Sequence, residues 1–195
     1  MSAKDWERSL AELREGNERF AAGRSLRPRQ DERRRREVLD KGQYPFAAIV
    51  ACSDSRVPPE IVFDQGLGDL FVVRTAGNLI DEVGLASLEY AATHLHVPLI
   101  VVMGHSRCGA VTAAVEGAET GGHPSAIHRA LAPAVAAVKG RTEGLVDAAA
   151  RESVKASVAM LAGAGGALKD PVDRGKLLVI GAFYDLESGA VAFMR

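Results

Sequence analysis

Short continuous runs of apolar residues recur along the chain, separated by longer amphipathic or polar segments. Four of them span residues 46–51, 70–73, 99–103 and 177–183. They lack the alternation of apolar and polar residues that marks a strand with one solvated face, so they are typical of strands covered on both faces, as in a parallel sheet. A fifth run, at residues 191–194, follows a Ser-Gly turn and predicts an antiparallel edge strand.

Helical patterns fill the segments between these strands. They cover residues 83–95, 108–116, 125–138 and 146–161. Another amphipathic helix is predicted at residues 6–22, where four large apolar residues recur at roughly helical spacing. Because strands alternate with helices, we predict an α/β fold with a central, mostly parallel β-sheet of four strands plus an antiparallel edge strand. Helices would flank this sheet, and a helical arm would precede it.

The remaining segments are too short to separate domains. Residues 24–36 are rich in arginine, but acidic residues flank the arginines, which favours a solvated connector and a short helix over a nucleic-acid-binding patch. The glycine-rich stretches 117–124 and 163–166 are interpreted as loops. We therefore expect a single domain of 195 residues, with the N-terminal helical arm at 1–40 and the α/β core at 41–195.

Charge and composition narrow the range of partners. The chain has 24 lysine and arginine residues against 25 aspartate and glutamate residues, a formal net charge of −1. This balance provides no general attraction for nucleic acid or an anionic membrane. Residues 1–8 lack the apolar core of a secretory signal, and no uncharged apolar run approaches the roughly 20 residues needed to span a bilayer. We expect a cytoplasmic protein that binds neither nucleic acid nor membrane.

The two cysteines, Cys52 and Cys108, are the first candidates for chemistry. Cys52 directly follows the first predicted strand, and His105 and Cys108 follow the third. Because the carboxyl ends of parallel strands meet at one edge of a sheet, these side chains are expected to face one crevice. An imidazole and two thiolates suit zinc, and three protein ligands leave a fourth position open, as in catalytic zinc sites. The alternative is one buried cysteine, one partly buried cysteine and an ordinary core histidine.

An acidic residue and an arginine lie beside the first candidate ligand. Asp54 and Arg56 are two positions apart, so in an extended segment their side chains would project to the same side and could form a bidentate ion pair. Such a pair keeps the carboxylate ionised. Next to an open zinc site, the carboxylate would either orient a water molecule or become the fourth ligand. The alternative is a solvated surface ion pair.

Together these motifs resemble a known family. The sequence Cys-Ser-Asp-Ser-Arg at 52–56, followed by Gly-His-x-x-Cys-Gly at 104–109, resembles the beta-class carbonic anhydrases. Further segments resemble the bacterial members of this family: residues 15–20, 71–78, 87–90 and 181–189. The likeness therefore covers most of the chain.

The resemblance implies a zinc enzyme and assigns roles to particular residues. One Zn²⁺ per chain would be held by Cys52, His105 and Cys108, and Asp54 would be able to bind the metal in a closed state. Asp54 and Arg56 would form the catalytic pair. The implied reaction is the reversible hydration of CO2 to bicarbonate and a proton by zinc-bound hydroxide.

Substrate contacts and assembly are also implied by the resemblance. Gln43 and Gly109 would contact CO2 or bicarbonate. The family forms homodimers or dimers of dimers, with the N-terminal helix packed on the partner subunit. Arg74 and Tyr184 match two residues of a bicarbonate pocket found in some bacterial members, whereas Ile49 stands at the position of its tryptophan.

Two alternative functions stay open on the sequence. The same scaffold could hydrolyse another small linear substrate, such as carbon disulfide. A zinc- or thiol-based redox sensor without turnover is the second alternative. The Asp54–Arg56 pair argues against the sensor, because a sensor has no need for a carboxylate that orients water.

Overall fold

The computed structural model describes residues 5–117 and 124–194. Its helices are α1 (Asp5–Ala21), α2 (Glu32–Lys41), α3 (Pro59–Val62), α4 (Glu82–Thr93), α5 (Gly109–Glu116), α6 (Pro124–Ala137), α7 (Leu145–Gly163) and α8 (Gly166–Asp173). Its strands are β1 (Ala47–Cys52), β2 (Leu70–Thr75), β3 (Leu99–His105), β4 (Leu178–Tyr184) and β5 (Val191–Met194). A 3₁₀ turn at Ala76–Asn78 follows β2. Within the described residues, none of these helices has the length and apolar character that crossing a membrane requires.

The described strands form one sheet in the order β2-β1-β3-β4-β5. β1 pairs in parallel with β2 and β3, β3 pairs in parallel with β4, and β5 runs antiparallel to β4. This confirms the predicted α/β fold, with four parallel strands and one antiparallel edge strand. Each parallel strand continues one or two residues beyond its predicted carboxyl end. The apolar runs stop earlier because backbone pairing extends into the residues that line the edge of the sheet.

Both faces of the sheet are covered, which explains why its strands are apolar without alternation. Successive side chains of a strand point to opposite faces. Ile49 of β1 packs in a core with Leu10 and Leu13 of α1. Its neighbour Val50 packs in a second core with Leu88 of α4, to which α7 and α8 also contribute. The layers are therefore helix, sheet and helix.

The first helix packs on the sheet of its own chain. Gly16 lies so close to α3 that a Cβ atom at this position would be 1.9 Å from the carbonyl oxygen of Phe63. Asn17 donates a hydrogen bond from Nδ2 to the carbonyl oxygen of Val62 at 3.1 Å. The predicted helix at 6–22 is confirmed within one residue. Leu10 and Leu13 of this helix are buried within the chain, and the packing on a partner subunit that the resemblance implies stays a prediction.

The arginine-rich residues 24–36 form a connector and the start of α2, as predicted, and a buried carboxylate ties this connector to the core. The side chain of Asp64 is 1% exposed and accepts a hydrogen bond from Arg19 Nε at 2.6 Å. It also accepts hydrogen bonds from the backbone N–H groups of Leu26 at 3.0 Å and Arg27 at 2.8 Å. Burial alone would raise the pKa of Asp64, but these hydrogen bonds outweigh it and leave the pKa lowered.

The loop predicted at residues 163–166 is present but shorter, because only residues 164 and 165 lie outside the helices. α7 continues to Gly163, and α8 begins at Gly166. The sequence obscures α8 because it starts with glycine and contains Pro171, but the helix buries Leu168, and Glu89 accepts a hydrogen bond from the backbone N–H of Ala167. Most of the other predicted loop, residues 118–123, lies outside the described residues.

Candidate metal centre

The candidate ligands lie at the carboxyl ends of β1 and β3, at the point where the strand order reverses its direction across the sheet. After β1 the chain passes to β2 on one side, and β3 returns to the other side of β1. In open α/β sheets, the crevice at the carboxyl ends of two such strands is the usual ligand site. Cys52 is the last residue of β1, His105 is the last residue of β3, and Cys108 is the N-cap of α5. Cys52 and His105 thus belong to the strands that they were predicted to follow.

The three candidate ligand atoms converge. The Sγ atoms of Cys52 and Cys108 and a ring nitrogen of His105 all lie within 4.8 Å of one another. Two ligand atoms on one tetrahedral zinc, bound at about 2.0–2.3 Å, are about 3.5 Å apart, so movements of about 1 Å would allow the ion to bind. The three residues are 5%, 1% and 0% exposed, which places the donor atoms in the interior. This arrangement can hold a metal ion.

The histidine is oriented for metal binding by its own backbone. His105 Nδ1 lies 2.9 Å from the carbonyl oxygen of Ser106. A carbonyl oxygen only accepts hydrogen bonds, so Nδ1 carries a proton, and a metal ion would bind the Nε2 lone pair of the neutral ring. Buried Nε2 has no hydrogen-bond partner among the described residues. A buried acceptor without a partner is costly, and a metal ion in the crevice would satisfy it.

One of the two thiols, Cys52, is arranged to supply a thiolate. Cys52 Sγ accepts backbone hydrogen bonds from Asp54 N at 3.4 Å and Gly77 N at 3.3 Å. The neighbouring Cys108 thiol, the adjacent His105 ring and these backbone N–H groups lower the pKa of Cys52 below its usual range. The pKa of Cys108 is raised, because it shares its proton with the Cys52 thiolate and is buried. Both cysteines are free thiols. A cation between them would favour ionisation of both.

The ion pair beside the ligands is present, but its geometry differs from the prediction. Asp54 and Arg56 lie in a turn and not in an extended segment. Arg56 donates from Nε to Asp54 Oδ1 at 2.9 Å, from Nη2 to Oδ2 at 2.7 Å, and from its backbone N–H to Oδ1 at 2.9 Å. These hydrogen bonds hold the pKa of Asp54 well below its usual range. Asp54 Oδ2 is 4.0 Å from His105 Nε2, so the carboxylate borders the crevice.

Arg74 has a role that the sequence alone did not indicate. It donates from Nε to the carbonyl oxygen of Cys52 at 2.9 Å and from Nη2 to that of Asp54 at 2.6 Å. It therefore supports the backbone that carries a candidate ligand and the carboxylate. Because any backbone carbonyl oxygen can accept a hydrogen bond from an arginine, no sequence pattern predicts this role of Arg74.

Ile49 stands at the position of the tryptophan in the bicarbonate pocket of some bacterial members. Its side chain is fully buried in the core.

The two predicted substrate contacts lie in different places. Gly109 follows Cys108 at the start of α5, and a Cβ atom there would meet nothing within 4 Å. Gln43 is exposed and precedes β1, whereas Cys52 ends that strand. At about 3.3 Å per residue, the six residues of β1 separate its ends by roughly 17 Å. The fold therefore brings Gly109, but not Gln43, to the candidate ligands of the same chain.

Comparison with known proteins agrees with this geometry. A carbonic anhydrase family model matches residues 47–191. Carbonic anhydrase 2 of Mycobacterium tuberculosis is 47% identical over 183 residues, covering 91% of this chain and 87% of the relative. The carbonic anhydrase of Mycolicibacterium smegmatis is 44% identical over 183 residues, covering 92% and 88%.

Solved structures show the same fold. The beta-carbonic anhydrase CcaA matches with a TM-score of 0.75 and 28% identity, covering 96% of this chain and 95% of that chain. A beta-carbonic anhydrase from Sordaria macrospora, described as tetrameric, matches with a TM-score of 0.75 and 25% identity, covering 97% and 96%.

The chain belongs to the carbonic anhydrase family and, within it, to the beta class that the sequence motifs resemble. This is a family of enzymes. The relatives described above are named carbonic anhydrases. The two alternative functions, hydrolysis of carbon disulfide and redox sensing, are therefore not favoured.

Proposed function

We propose that the protein catalyses the reversible hydration of CO2 to bicarbonate and a proton, with one Zn²⁺ per chain held by Cys52, His105 and Cys108. One observation carries the proposal: two buried thiols and a buried imidazole converge within 4.8 Å, beside a carboxylate that Arg56 holds. Membership of the carbonic anhydrase family indicates the reaction. When bound, zinc would lower the pKa of a water molecule from about 15.7 to about 7 and so make hydroxide available at neutral pH.

Asp54 and Arg56 are the catalytic pair in this proposal. The ionised Asp54 can only accept hydrogen bonds, so it would accept one from a water molecule in the crevice and fix the direction of that molecule's lone pair. Arg56 supplies the orientation, because it engages both carboxylate oxygens. Asp54 could also rotate toward the ligand atoms, since its Oδ2 is 4.0 Å from His105 Nε2, and occupy the fourth position itself. Its contacts with Arg56 favour the open arrangement.

Substrate would approach over the start of α5. The open space beside Gly109 adjoins Cys108, which leaves room for a small linear molecule. Gln43 lies at the other end of β1 from Cys52, so we propose that it contributes to the site of a second copy. This role would require an oligomer.

We propose a homodimer or a dimer of dimers. Two large apolar side chains on either side of Gln43 in the sequence support an oligomer, because a partner subunit would cover them. Leu39 is 80% exposed and Tyr44 is 79% exposed. The tetrameric relative from Sordaria macrospora supports it too. Size-exclusion chromatography with light scattering would measure the mass. We further propose a single domain, with arm 1–40 and core 41–195, in the cytoplasm, where a reducing environment keeps thiol ligands free.

The decisive experiment is stopped-flow CO2 hydration on the purified protein, with zinc quantified in the same sample. We expect about one zinc per chain and rapid hydration. Cys52→Ser should lose both, because serine is a poor zinc ligand. His105→Asn should also lose both.

A matched histidine variant provides the control. His96 is exposed, lies before the amino end of β3 and has φ +55, a conformation that asparagine tolerates. His96→Asn should therefore keep zinc and activity. An active enzyme without zinc, or a zinc-loaded protein that does not hydrate CO2, would contradict the proposal.

A further inference from the structure

The loop between two candidate ligands contains an unusual backbone conformation. Arg107 lies between His105 and Cys108 and has φ +54, in the left-handed region. Residues with a Cβ atom rarely adopt this conformation, and those that do are most often asparagine or aspartate. The position of the Cys108 backbone depends directly on this residue. Something must therefore hold Arg107 in place.

A carboxylate from a distant helix contacts this residue. Asp147, in the first turn of α7, accepts a hydrogen bond from the backbone N–H of Arg107 on its Oδ1 at 2.9 Å. On the other side, Arg56 Nη2 lies 3.4 Å from the carbonyl oxygen of Arg107. The same backbone is thus held at its N–H group by α7 and contacted at its carbonyl group by the arginine that binds Asp54.

Asp147 also has an ordinary structural explanation. An acidic residue in the first turn of a helix interacts favourably with the helix dipole. The N-cap of α7, Gly144, has no side-chain cap, so this helix would benefit from that interaction. A test must therefore separate two effects of Asp147: stabilisation of α7, and positioning of the backbone between His105 and Cys108.

We propose that Asp147 is a positioning residue of the metal centre. Its carboxylate holds Arg107 in the left-handed conformation, so that the Cys108 thiol faces Cys52 and His105 and the Arg107 carbonyl group meets Arg56. This inference rests on the proposed function, because the role of Asp147 is defined by the zinc ligands. Asp147 contacts neither substrate nor ligand atoms in this role.

Zinc release provides a readout beyond activity. The zinc-loaded protein is mixed with an excess of the chromogenic chelator 4-(2-pyridylazo)resorcinol, and the rate of zinc transfer is recorded. Asp147→Ala should release zinc about 10–100-fold faster than the parent, the usual effect of removing a group that orients a metal ligand. Asp147→Asn should stay within about threefold, because its amide oxygen can still accept the N–H of Arg107. In the cobalt-substituted protein, Asp147→Ala should also alter the thiolate-to-metal absorption bands.

Glu187→Gln is the matched charge control. Glu187 pairs with the exposed side chain of Arg107 at 3.3 Å but does not contact its backbone. Removing this charge should leave zinc release unchanged. A role limited to the dipole of α7 predicts a different pattern: Asp147→Asn would resemble Asp147→Ala in the thermal stability of the metal-free protein, and neither would release zinc faster.

A second background links the effect to the backbone of residue 107. Glycine adopts φ +54 without steric cost. In an Arg107→Gly background, the effect of Asp147→Ala on zinc release should therefore shrink several-fold. If Asp147→Ala does not fold, Asp147→Ser replaces it, because serine suits a helix start but is too short to keep the carboxylate contact.

The outcomes separate the two proposals. Equal zinc release in Asp147→Ala and the parent would overturn the inference, as would a release in Asp147→Asn as fast as in Asp147→Ala. A parent protein that binds no zinc would contradict the proposed function instead. A parent that binds zinc and hydrates CO2 but is insensitive to Asp147→Ala would contradict only the role of Asp147.

Discussion

Arg56 donates hydrogen bonds to both carboxylate oxygens of Asp54, at 2.9 Å from Nε and 2.7 Å from Nη2. A third hydrogen bond, from the Arg56 backbone N–H, closes the turn around the same carboxylate. The guanidinium also reaches toward the carbonyl oxygen of Arg107, in the loop that follows β3. One arginine therefore connects the segments after the two strands that carry the candidate ligands.

Arg56→Lys should reduce kcat for CO2 hydration about 10–100-fold while zinc content is unchanged. Lysine keeps the positive charge but has no planar fork, so it cannot fix both oxygens of Asp54. Stopped-flow kinetics and zinc quantification measure the two quantities. Arg33→Lys is the control, because the Arg33 side chain is 90% exposed. An Arg56→Lys enzyme with the parent kcat would contradict the role of the pair.

Gly109→Ala separates a substrate role from a packing role. A Cβ atom at residue 109 would meet no protein atom within 4 Å, so thermal stability should be unchanged or slightly higher. If CO2 or bicarbonate occupies the space beside this glycine, the added methyl group should lower kcat/KM at least about tenfold. Gly163→Ala, at another glycine with open surroundings, should leave kcat/KM unchanged. Full activity in Gly109→Ala would contradict the proposed contact between Gly109 and the substrate.

Asp64→Asn tests the attachment of the N-terminal arm. Asparagine tolerates the positive φ of +48 at this position, so the substitution leaves the backbone unstrained while it removes the charge and replaces one acceptor oxygen with an NH2 group. We expect a loss of about 1.5–3 kcal/mol in unfolding free energy at pH 7, because a buried hydrogen-bonded charge is lost. Urea denaturation measures this loss. Glu32→Gln removes an exposed ion pair with Arg36 and should cost at most about 1 kcal/mol.

The loss in Asp64→Asn should depend on pH in a defined direction. The folded-state pKa of Asp64 is lowered, so its contribution is fully present above the unfolded-state value of about 3.9. As the pH falls below about 4 toward the folded-state pKa, the parent should lose this contribution, and its stability should approach that of the variant. A difference that stays constant down to pH 3, or that grows, would contradict this account.

Gly16→Ala should destabilise the protein although alanine favours helices. The new Cβ atom would lie 1.9 Å from the carbonyl oxygen of Phe63, so α1 would have to move away from α3. Forcing a methyl group into a packed contact typically costs about 1–3 kcal/mol. Urea denaturation of Gly163→Ala, where no atom lies within 4 Å, should show no loss. Equal stability of the two variants would mean that α1 does not pack tightly against α3.

Most elements of the fold could be predicted from local patterns, and the exceptions have local causes. The parallel strands were recognised because both faces of the sheet are covered, which makes their residues continuously apolar. α8 was missed, since Gly166 and Pro171 oppose a helix and its stability depends on burial of Leu168. The carboxyl ends of β1 and β3 were placed too early, because Cys52 and His105 extend their strands through backbone pairing.

The sequence by itself determined the chemical groups of the site: two thiols, an imidazole, and a carboxylate with an arginine two positions away. Side-chain chemistry and short spacing are local properties, so they can be read without a fold. Only the tertiary structure decided that β1 and β3 are neighbours, and that buried His105 Nε2 has no partner among the described residues. Strand order depends on contacts between residues far apart in the chain, which no local pattern encodes. The contact between Asp147 and the Arg107 backbone is of the same kind, because its two residues are 40 positions apart.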